Sequence, residues 1–163
     1  MIYLLISIIL DITASTLITS TYQNINYLFP QILVSSLTIS YLLIKNKKLY
    51  FITITLLGLI YDIIYSDIFL INTYFFLLQG LFLQAFYKNK EQTPLNVSLV
   101  SILTFIFYDI YIFFTLILLK EETFKITELY YKISHSLILN IIYITLSLVI
   151  LKSRIFTYKN KIK

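Results

Sequence analysis

The sequence contains no cysteine and no tryptophan, only two glycines and two prolines, and only 13% charged residues among its 163 positions. The lack of cysteine excludes a disulfide framework, a thiolate metal site and a cysteine nucleophile. Soluble chains carry about 25% charged residues, whereas this chain is 59% hydrophobic, with a mean hydropathy of +0.86. Because a domain of this size still exposes roughly 30% of its unfolded-chain surface, the sequence predicts that the surrounding solvent is lipid.

Six apolar stretches each approach the length of about 20 residues that a membrane-crossing helix needs. They cover residues 2–18, 27–44, 49–65, 68–87, 95–119 and 133–151. None of them alternates in polarity over the ~10 residues of a transmembrane strand. The sequence therefore predicts an all-α integral membrane protein. Its six-helix transmembrane domain would cover residues 1–151, with a tight hairpin at Ser66 and Asp67, and a basic tail would cover residues 152–163.

Lysine and arginine are divided unequally between the two predicted sides of the membrane. The side that holds both termini carries Lys45, Lys47, Lys48, Lys88, Lys90, Lys152, Arg154, Lys159, Lys161 and Lys163. The other side carries only Lys120, Lys125 and Lys132. The positive-inside rule then places both termini in the cytoplasm of a multi-pass membrane protein. The basic tail is expected to bind anionic lipid or an acidic cytoplasmic partner, and without a folded reader it does not indicate nucleic-acid binding.

Three aspartates lie inside predicted spans: Asp11 in the first, Asp62 in the third and Asp109 in the fifth. A carboxylate within a span is costly unless it is protonated, paired or hydrated, so each is a candidate functional residue. No lysine or arginine lies within any predicted span. The expected partners are therefore an added proton, hydrogen bonds from Tyr, Ser, Asn or His135, or a donor from another subunit. The tripeptide Tyr-Asp-Ile occurs twice, at 61–63 and 108–110, which we interpret as a coincidence of composition.

Other polar residues recur at helical spacing within four of the spans and are predicted to face neighbouring helices. These residues are Gln31, Ser35 and Thr38; Asn72 and Gln79; Ser101, Thr104, Tyr108, Tyr111 and Thr115; and Ser136, Asn140, Tyr143 and Ser147. The sequence has no paired histidines, no nucleophile elbow and no phosphate-binding loop, and His135 stands alone, as expected of an interfacial residue. We therefore expect neither an enzymatic activity nor a cofactor or metal.

Two short segments are more specific than the general composition. Phe29-Pro30-Gln31-Ile32-Leu33-Val34 opens the second span with a proline at its first turn, where the missing N–H has no helical partner to lose. Leu56-Leu57-Gly58-Leu59-Ile60-Tyr61-Asp62-Ile63 places Gly58 and Asp62 four residues apart on one helix face. With the length, the six spans and the basic tail, these segments make the chain resemble the rod shape-determining protein MreD family. The family's usual glycine after the hairpin is absent, and Ile71 and Asn72 stand in that region.

The resemblance implies a non-catalytic membrane scaffold of the bacterial cell-elongation complex, which would help couple a cytoplasmic filament to peptidoglycan synthesis. The implied direct partner is the bitopic protein MreC, and the actin-like MreB filament, the RodA glycosyltransferase and a penicillin-binding transpeptidase would belong to the same complex. Pro30, Gly58 and Asp62 match the family pattern, and Asp11 and Asp109 join them as candidate interaction or bundle-organising residues.

The resemblance also implies a fold similar to the six-helix substrate-binding subunits of energy-coupling-factor transporters. A vitamin-binding subunit of such a transporter is therefore the alternative function. Those subunits tend to dock through an A-x-x-x-A face on the first helix, and here Ala14 is the only alanine in that helix. A small intramembrane enzyme is a third interpretation, and it lacks any catalytic constellation in the sequence.

Overall fold

A computed structural model of the chain describes residues 2–21, 31–65, 70–88, 92–119 and 126–156. Apart from short turns, these residues are helical. The helices are α1 (Ile2–Thr21), α2 (Ile32–Leu43), α3 (Lys47–Tyr65), α4 (Ile71–Tyr87), α5 (Pro94–Leu118) and α6 (Ile126–Phe156). The predicted all-α fold is confirmed.

Three of the described helices are long and apolar enough to cross a membrane. They are α3, α5 and the segment Leu129–Leu151 of α6. Helices α1 and α2 supply shorter apolar segments, Ile2–Thr16 and Ile32–Leu43. The outward faces of the bundle carry many large apolar side chains, such as Ile63, Leu81 and Phe107. Contiguous exposed apolar surface of this kind marks contact with lipid or with another protein.

The starts of α2 and α4 differ from the predicted spans. The backbone of Gln31 is not helical, and α2 begins at Ile32, so the prediction that the second span is already helical at residue 31 is wrong. Leu70 adopts a left-handed conformation with φ 71°, which stops α4 from beginning before Ile71. Pro30 and the hairpin predicted at residues 66 and 67 lie outside the described residues.

Helix α6 is longer at both ends than the predicted span at 133–151. Residues 126–132, predicted to belong to a polar connection, form its first turns, and the helix continues to Phe156 within the predicted tail. Hydropathy detects only the apolar part of a helix, whereas glutamate, lysine and arginine are good helix formers outside it. At 31 residues the helix is about 46 Å long, so it extends well beyond the roughly 30 Å of a hydrocarbon core.

Helix α2 occupies the centre of the bundle. It contacts all five other helices, and every residue from 33 to 41 is buried. Its 12 residues give a length of about 18 Å, which is shorter than a hydrocarbon core of roughly 30 Å. Because residues 33–41 are buried, protein encloses the central helix along its sides.

Polar side chains of α2 face the helices around it, as predicted. Ser35 donates a hydrogen bond to Asn140 of α6 at 3.2 Å, and Thr38 pairs with Thr104 of α5 at 3.1 Å. Gln79 of α4 donates to the carbonyl oxygen of Val34 at 2.9 Å and to Thr38 at 3.2 Å. In membranes such bonds stabilise helix association by about 0.6 kcal/mol each, and here they tie α2 to three neighbours.

Both glycines of the chain lie where α3 packs against α4. A Cβ atom added to Gly58 would lie 2.6 Å from the backbone Cα of Thr73. A Cβ atom added to Gly80 would lie 2.7 Å from Ile54 Cδ1 and 2.9 Å from Phe51 Cε1, which are the ends of movable side chains. Only at Gly58 do the two helix backbones approach too closely for any side chain.

This difference predicts unequal effects of the two alanine substitutions. We expect Gly58→Ala to lower the free energy of unfolding by about 1–3 kcal/mol, because α3 and α4 must move apart. Gly80→Ala should be close to neutral, since Ile54 and Phe51 can change rotamer and alanine favours the helix by roughly 1 kcal/mol. Thermal unfolding of both purified variants in one detergent measures the difference, and equal losses would contradict the close backbone approach at Gly58.

Candidate functional site: a ring of aspartates

The first turn of α2 is capped by a side chain from another helix. Gln31 precedes the helix, and its side chain makes no capping bond. Instead, Asp11 of α1 accepts a hydrogen bond from the backbone N–H of Ile32 at 2.7 Å through Oδ1. The first N–H groups of a helix have no partner within it, and one left unsatisfied in a buried position costs about 1–3 kcal/mol. The second oxygen of Asp11 accepts from the Tyr61 hydroxyl at 2.8 Å, so both oxygens have donors.

The first turn of α4 is capped in the same way by Asp62 of α3. Leu70, which precedes α4, has no side-chain donor or acceptor for a cap. Asp62 accepts from the backbone N–H of Asn72 at 2.7 Å and from that of Thr73 at 3.1 Å. The Thr73 hydroxyl also donates to Asp62 at 2.6 Å. Gly58, one helical turn before Asp62, contacts the backbone of the same Thr73. Gly58 and Asp62 therefore both contact the first turn of α4.

Asp109 of α5 has a different set of partners. Its Oδ1 accepts a hydrogen bond from Gln31 Nε2 at 2.6 Å and lies 3.3 Å from the ammonium nitrogen of Lys132. The expectation that no cation of this chain reaches the intramembrane aspartates is therefore wrong. It failed because α6 begins at Ile126, which makes Lys132 part of a helix that packs against α5.

The three aspartates belong to one closed ring, in which hydrogen bonds between helices are connected through residues that are adjacent in the chain. Asp11 is bonded to Tyr61, which adjoins Asp62, and Asp62 is bonded to Asn72. The side chain of Asn72 accepts from the Tyr108 hydroxyl at 2.6 Å, and Tyr108 adjoins Asp109. Asp109 is bonded to Gln31, which adjoins Ile32, and Ile32 donates to Asp11. We call this arrangement the aspartate ring. It connects the five helices α1, α2, α3, α4 and α5, and the pair of Lys132 with Asp109 connects α6 to it.

The repeated Tyr-Asp-Ile tripeptide supplies two links of the aspartate ring. In each copy the tyrosine and the aspartate bond to different helices. Tyr61 reaches α1 and Asp62 reaches α4. Tyr108 reaches α4 and Asp109 reaches α2. The two copies therefore perform the same structural task, although the match is too short to have been distinguished from chance in the sequence.

Each aspartate of the ring faces one positive electrostatic partner. Asp11 lies at the N-terminus of α2, and Asp62 lies at the N-terminus of α4. A helix N-terminus carries roughly half a positive charge. Asp109 faces the full charge of the Lys132 ammonium group. Hydrogen bonds to such partners are about twice as strong as neutral ones when the carboxyl group is ionised.

The opposite end of α2 is capped by a cation. Lys47, the first residue of α3, donates hydrogen bonds to the carbonyl oxygens of Tyr41 at 2.5 Å and of Ile44 at 3.2 Å. Its ammonium nitrogen also lies 3.6 Å from the centre of the Tyr41 ring. A cation complements the negative C-terminal end of a helix dipole. The central helix thus has a carboxylate at its start and an ammonium group at its end.

The aspartate ring brings together most of the candidate residues proposed from the sequence. Asp11, Asp62 and Asp109 lie in it, and Gly58 packs beside it. Pro30 lies outside the described residues. His135 is exposed, with Nδ1 2.8 Å from the Tyr131 carbonyl oxygen.

Sequence reasoning missed two contributors to the ring. Lys132 was assigned to a loop, although it lies within helix α6 and reaches Asp109. Tyr61 lies in the repeated tripeptide and in the segment around Gly58, but neither pattern predicts that its hydroxyl donates to Asp11. The signal for Lys132 was the presence of good helix formers before the apolar part of the last span.

No family model, curated protein or solved structure matches this chain. Within the described part of the chain, no group of three or more His, Cys, Asp or Glu residues is placed to hold a metal ion. The arrangement can cap two helices, pair one ammonium group and hold six helices in register.

The capping role of Asp62 predicts a graded loss of stability. Asp62→Ala removes the acceptor for two backbone N–H groups of α4, and each donor left unsatisfied costs about 1–3 kcal/mol. Thr73→Val removes only the hydroxyl donor and preserves the shape of the side chain. We expect Asp62→Ala to lower the unfolding midpoint in detergent substantially more than Thr73→Val does. A smaller loss for Asp62→Ala would contradict the capping role.

The Asp109–Lys132 pair predicts a rescue by a second substitution. Lys132→Met leaves a buried carboxylate without its ammonium partner, and breaking such a pair costs about 3–5 kcal/mol. The double variant Lys132→Met/Asp109→Asn removes both charges and should recover most of this loss. A double-mutant cycle on unfolding free energies in detergent provides the measurement. Additive losses from the two substitutions would mean that the side chains do not interact.

Proposed function

We propose that all six helices belong to a membrane-embedded bundle with both termini in the cytoplasm. Ten of the chain's 13 cations then lie on the cytoplasmic side, which agrees with the positive-inside rule. Helices α2 and α4 are short for a full crossing, but irregular backbone is tolerated at membrane depth where protein encloses it. The caps from Asp11 and Asp62 satisfy the backbone at those positions, which supports this arrangement.

In this topology the aspartate ring lies in the extracytoplasmic half of the membrane. It joins the later parts of α1, α3 and α5 to the starts of α2 and α4, with Lys132 in the second turn of α6. Lys47 and the end of α2 lie at the cytoplasmic side. The proposed fold resembles the six-helix substrate-binding subunits of energy-coupling-factor transporters, as the similarity to the MreD family implies.

The function that this geometry supports best is a non-catalytic scaffold of the MreD type. The observation that carries it is the use of the intramembrane acids. Asp11 and Asp62 each have both oxygens engaged in bonds that hold one helix to another. Acids used in this way make the bundle a fixed body against which a single transmembrane helix can be oriented. The apolar outward faces of the six helices are suited to lipid and to such a helix.

The proposed partner is a bitopic protein of the MreC type, whose transmembrane helix the bundle would hold in a defined orientation. Through that protein the bundle would couple an MreB filament in the cytoplasm to RodA and a transpeptidase on the wall side. The chain's own contribution would be positional, with no reaction step.

Co-purification with the MreC-type protein of the same genome tests the proposal. We expect the tagged wild-type chain to retain that protein in mild detergent, and Gly80→Ala to do so equally. Asp62→Ala should lose most of the complex, because α4 no longer has its cap. The amount of folded chain recovered is measured alongside, so that loss of the complex is separated from loss of the protein.

Three outcomes would count against parts of this account. A wild-type chain that fails to retain the MreC-type protein would contradict the scaffold function. Undiminished complex and normal rod shape with Asp62→Ala would remove Asp62 from it. A vitamin that co-purifies with the chain in stoichiometric amount would favour the transporter subunit instead.

A further inference from the structure

The three aspartates of the ring differ in how completely their oxygens are bonded. Both oxygens of Asp11 and both oxygens of Asp62 accept hydrogen bonds. In Asp109, Oδ1 takes both available partners, Gln31 and Lys132, and Oδ2 has no donor among the described residues. Because Asp109 is only 1% exposed, bulk solvent does not satisfy that oxygen. Asp109 is therefore the one acid of the ring in which an oxygen has no donor among the described residues.

Gln31 presents a second acceptor of the same kind. Its Nε2 donates to Asp109 Oδ1, while its Oε1 has no donor within the described part of the chain. Gln31 is 4% exposed, so this oxygen is also buried. The two side chains are bonded to each other, which places both orphaned oxygens at one site. Two buried acceptors that share a site and lack donors are satisfied by one ligand that donates twice, or without a ligand by a proton on Asp109 that is donated to Gln31.

We infer that a buried water molecule binds at this site and donates one hydrogen bond to Asp109 Oδ2 and one to Gln31 Oε1. Buried waters typically make about three hydrogen bonds to polar groups that would otherwise be unsatisfied. Each satisfied acceptor avoids the desolvation cost of a buried polar atom that lacks a partner. The inference concerns this chain alone and is independent of the proposed partner.

The burial of the site favours water over a larger donor. With both side chains at least nine-tenths buried, a side chain from a partner protein does not reach them without displacing a helix. The Lys132 side chain is 27% exposed and reaches Asp109, so a single side chain separates the site from the surface. A metal cation would require more oxygen ligands than these two, since such ions take about six.

Water-edited solid-state NMR on the full-length protein in lipid bilayers tests this inference. Aspartate and glutamine are labelled with ¹³C, and the Asp→Asn variants at positions 62 and 109 assign the two carboxyl signals. Magnetisation from water should reach the Asp109 carboxyl carbon several-fold faster than the Asp62 carboxyl carbon. Asp62 is the matched control, because it is equally buried and has donors on both oxygens. Equal slow transfer to both carbons in the wild-type protein would overturn the inference.

The Lys132 ammonium group could also relay magnetisation from water to Asp109, so a second comparison separates the two sources. Gln31→Met removes one of the two acceptors and leaves Lys132 in place. We expect transfer to Asp109 to slow several-fold in this variant. An unchanged rate would assign the signal to the ammonium group and overturn the bridging water. The chemical shift of the Asp109 carboxyl carbon is also compared in buffers that contain sodium or a large organic cation. A difference between the two buffers would indicate a bound metal ion and would also overturn the bridging water.

Discussion

The structure depends on how the two ends of α2 are satisfied. This helix is the centre of the bundle, it is buried along its sides, and it is about 18 Å long. Its first N–H groups and last C=O groups have no partner within the helix, and the start of the helix is buried, with Gln31 only 4% exposed. Each would cost about 1–3 kcal/mol if it remained unpaired. The protein has to supply partners for them from other helices.

Asp11 and Lys47 are those partners. One lies in the helix before α2 and the other in the helix after it, and their charges match the dipole of the helix between them. The buried acid of α1 therefore has a structural role, because it replaces the N-cap that Gln31 does not provide. Asp62 repeats this solution for α4, where Leu70 provides no cap. These charged side chains are explained by the buried helix ends that they cap.

Much of the fold could be predicted from hydropathy alone, because each apolar run is long and has polar connections. The seams of Ser, Thr, Asn and Gln were also predictable, since residues three or four apart share a helix face. The caps could not be predicted, because Asp11 and Ile32 are distant in sequence and nothing local links them. The Asp109–Lys132 pair could not be predicted for another reason. The apolar stretch of the last span begins only at residue 133, whereas helix α6 begins at Ile126 and therefore includes Lys132.

The Tyr-Asp pairs account for how so few residues join so many helices. Successive residues of an α-helix point about 100° apart, so a tyrosine and the aspartate after it face two different neighbours. Tyr61 and Asp62 use this angle to bond α3 to α1 and to α4 at one level of the bundle. Tyr108 and Asp109 do the same for α5, toward α4 and α2. Because each dipeptide makes two contacts, two copies together with Asp11, Asn72 and the Gln31–Ile32 pair close a ring through five helices. A shift of any one of these helices along its axis would break two links of the ring, so the ring fixes the relative heights of all five.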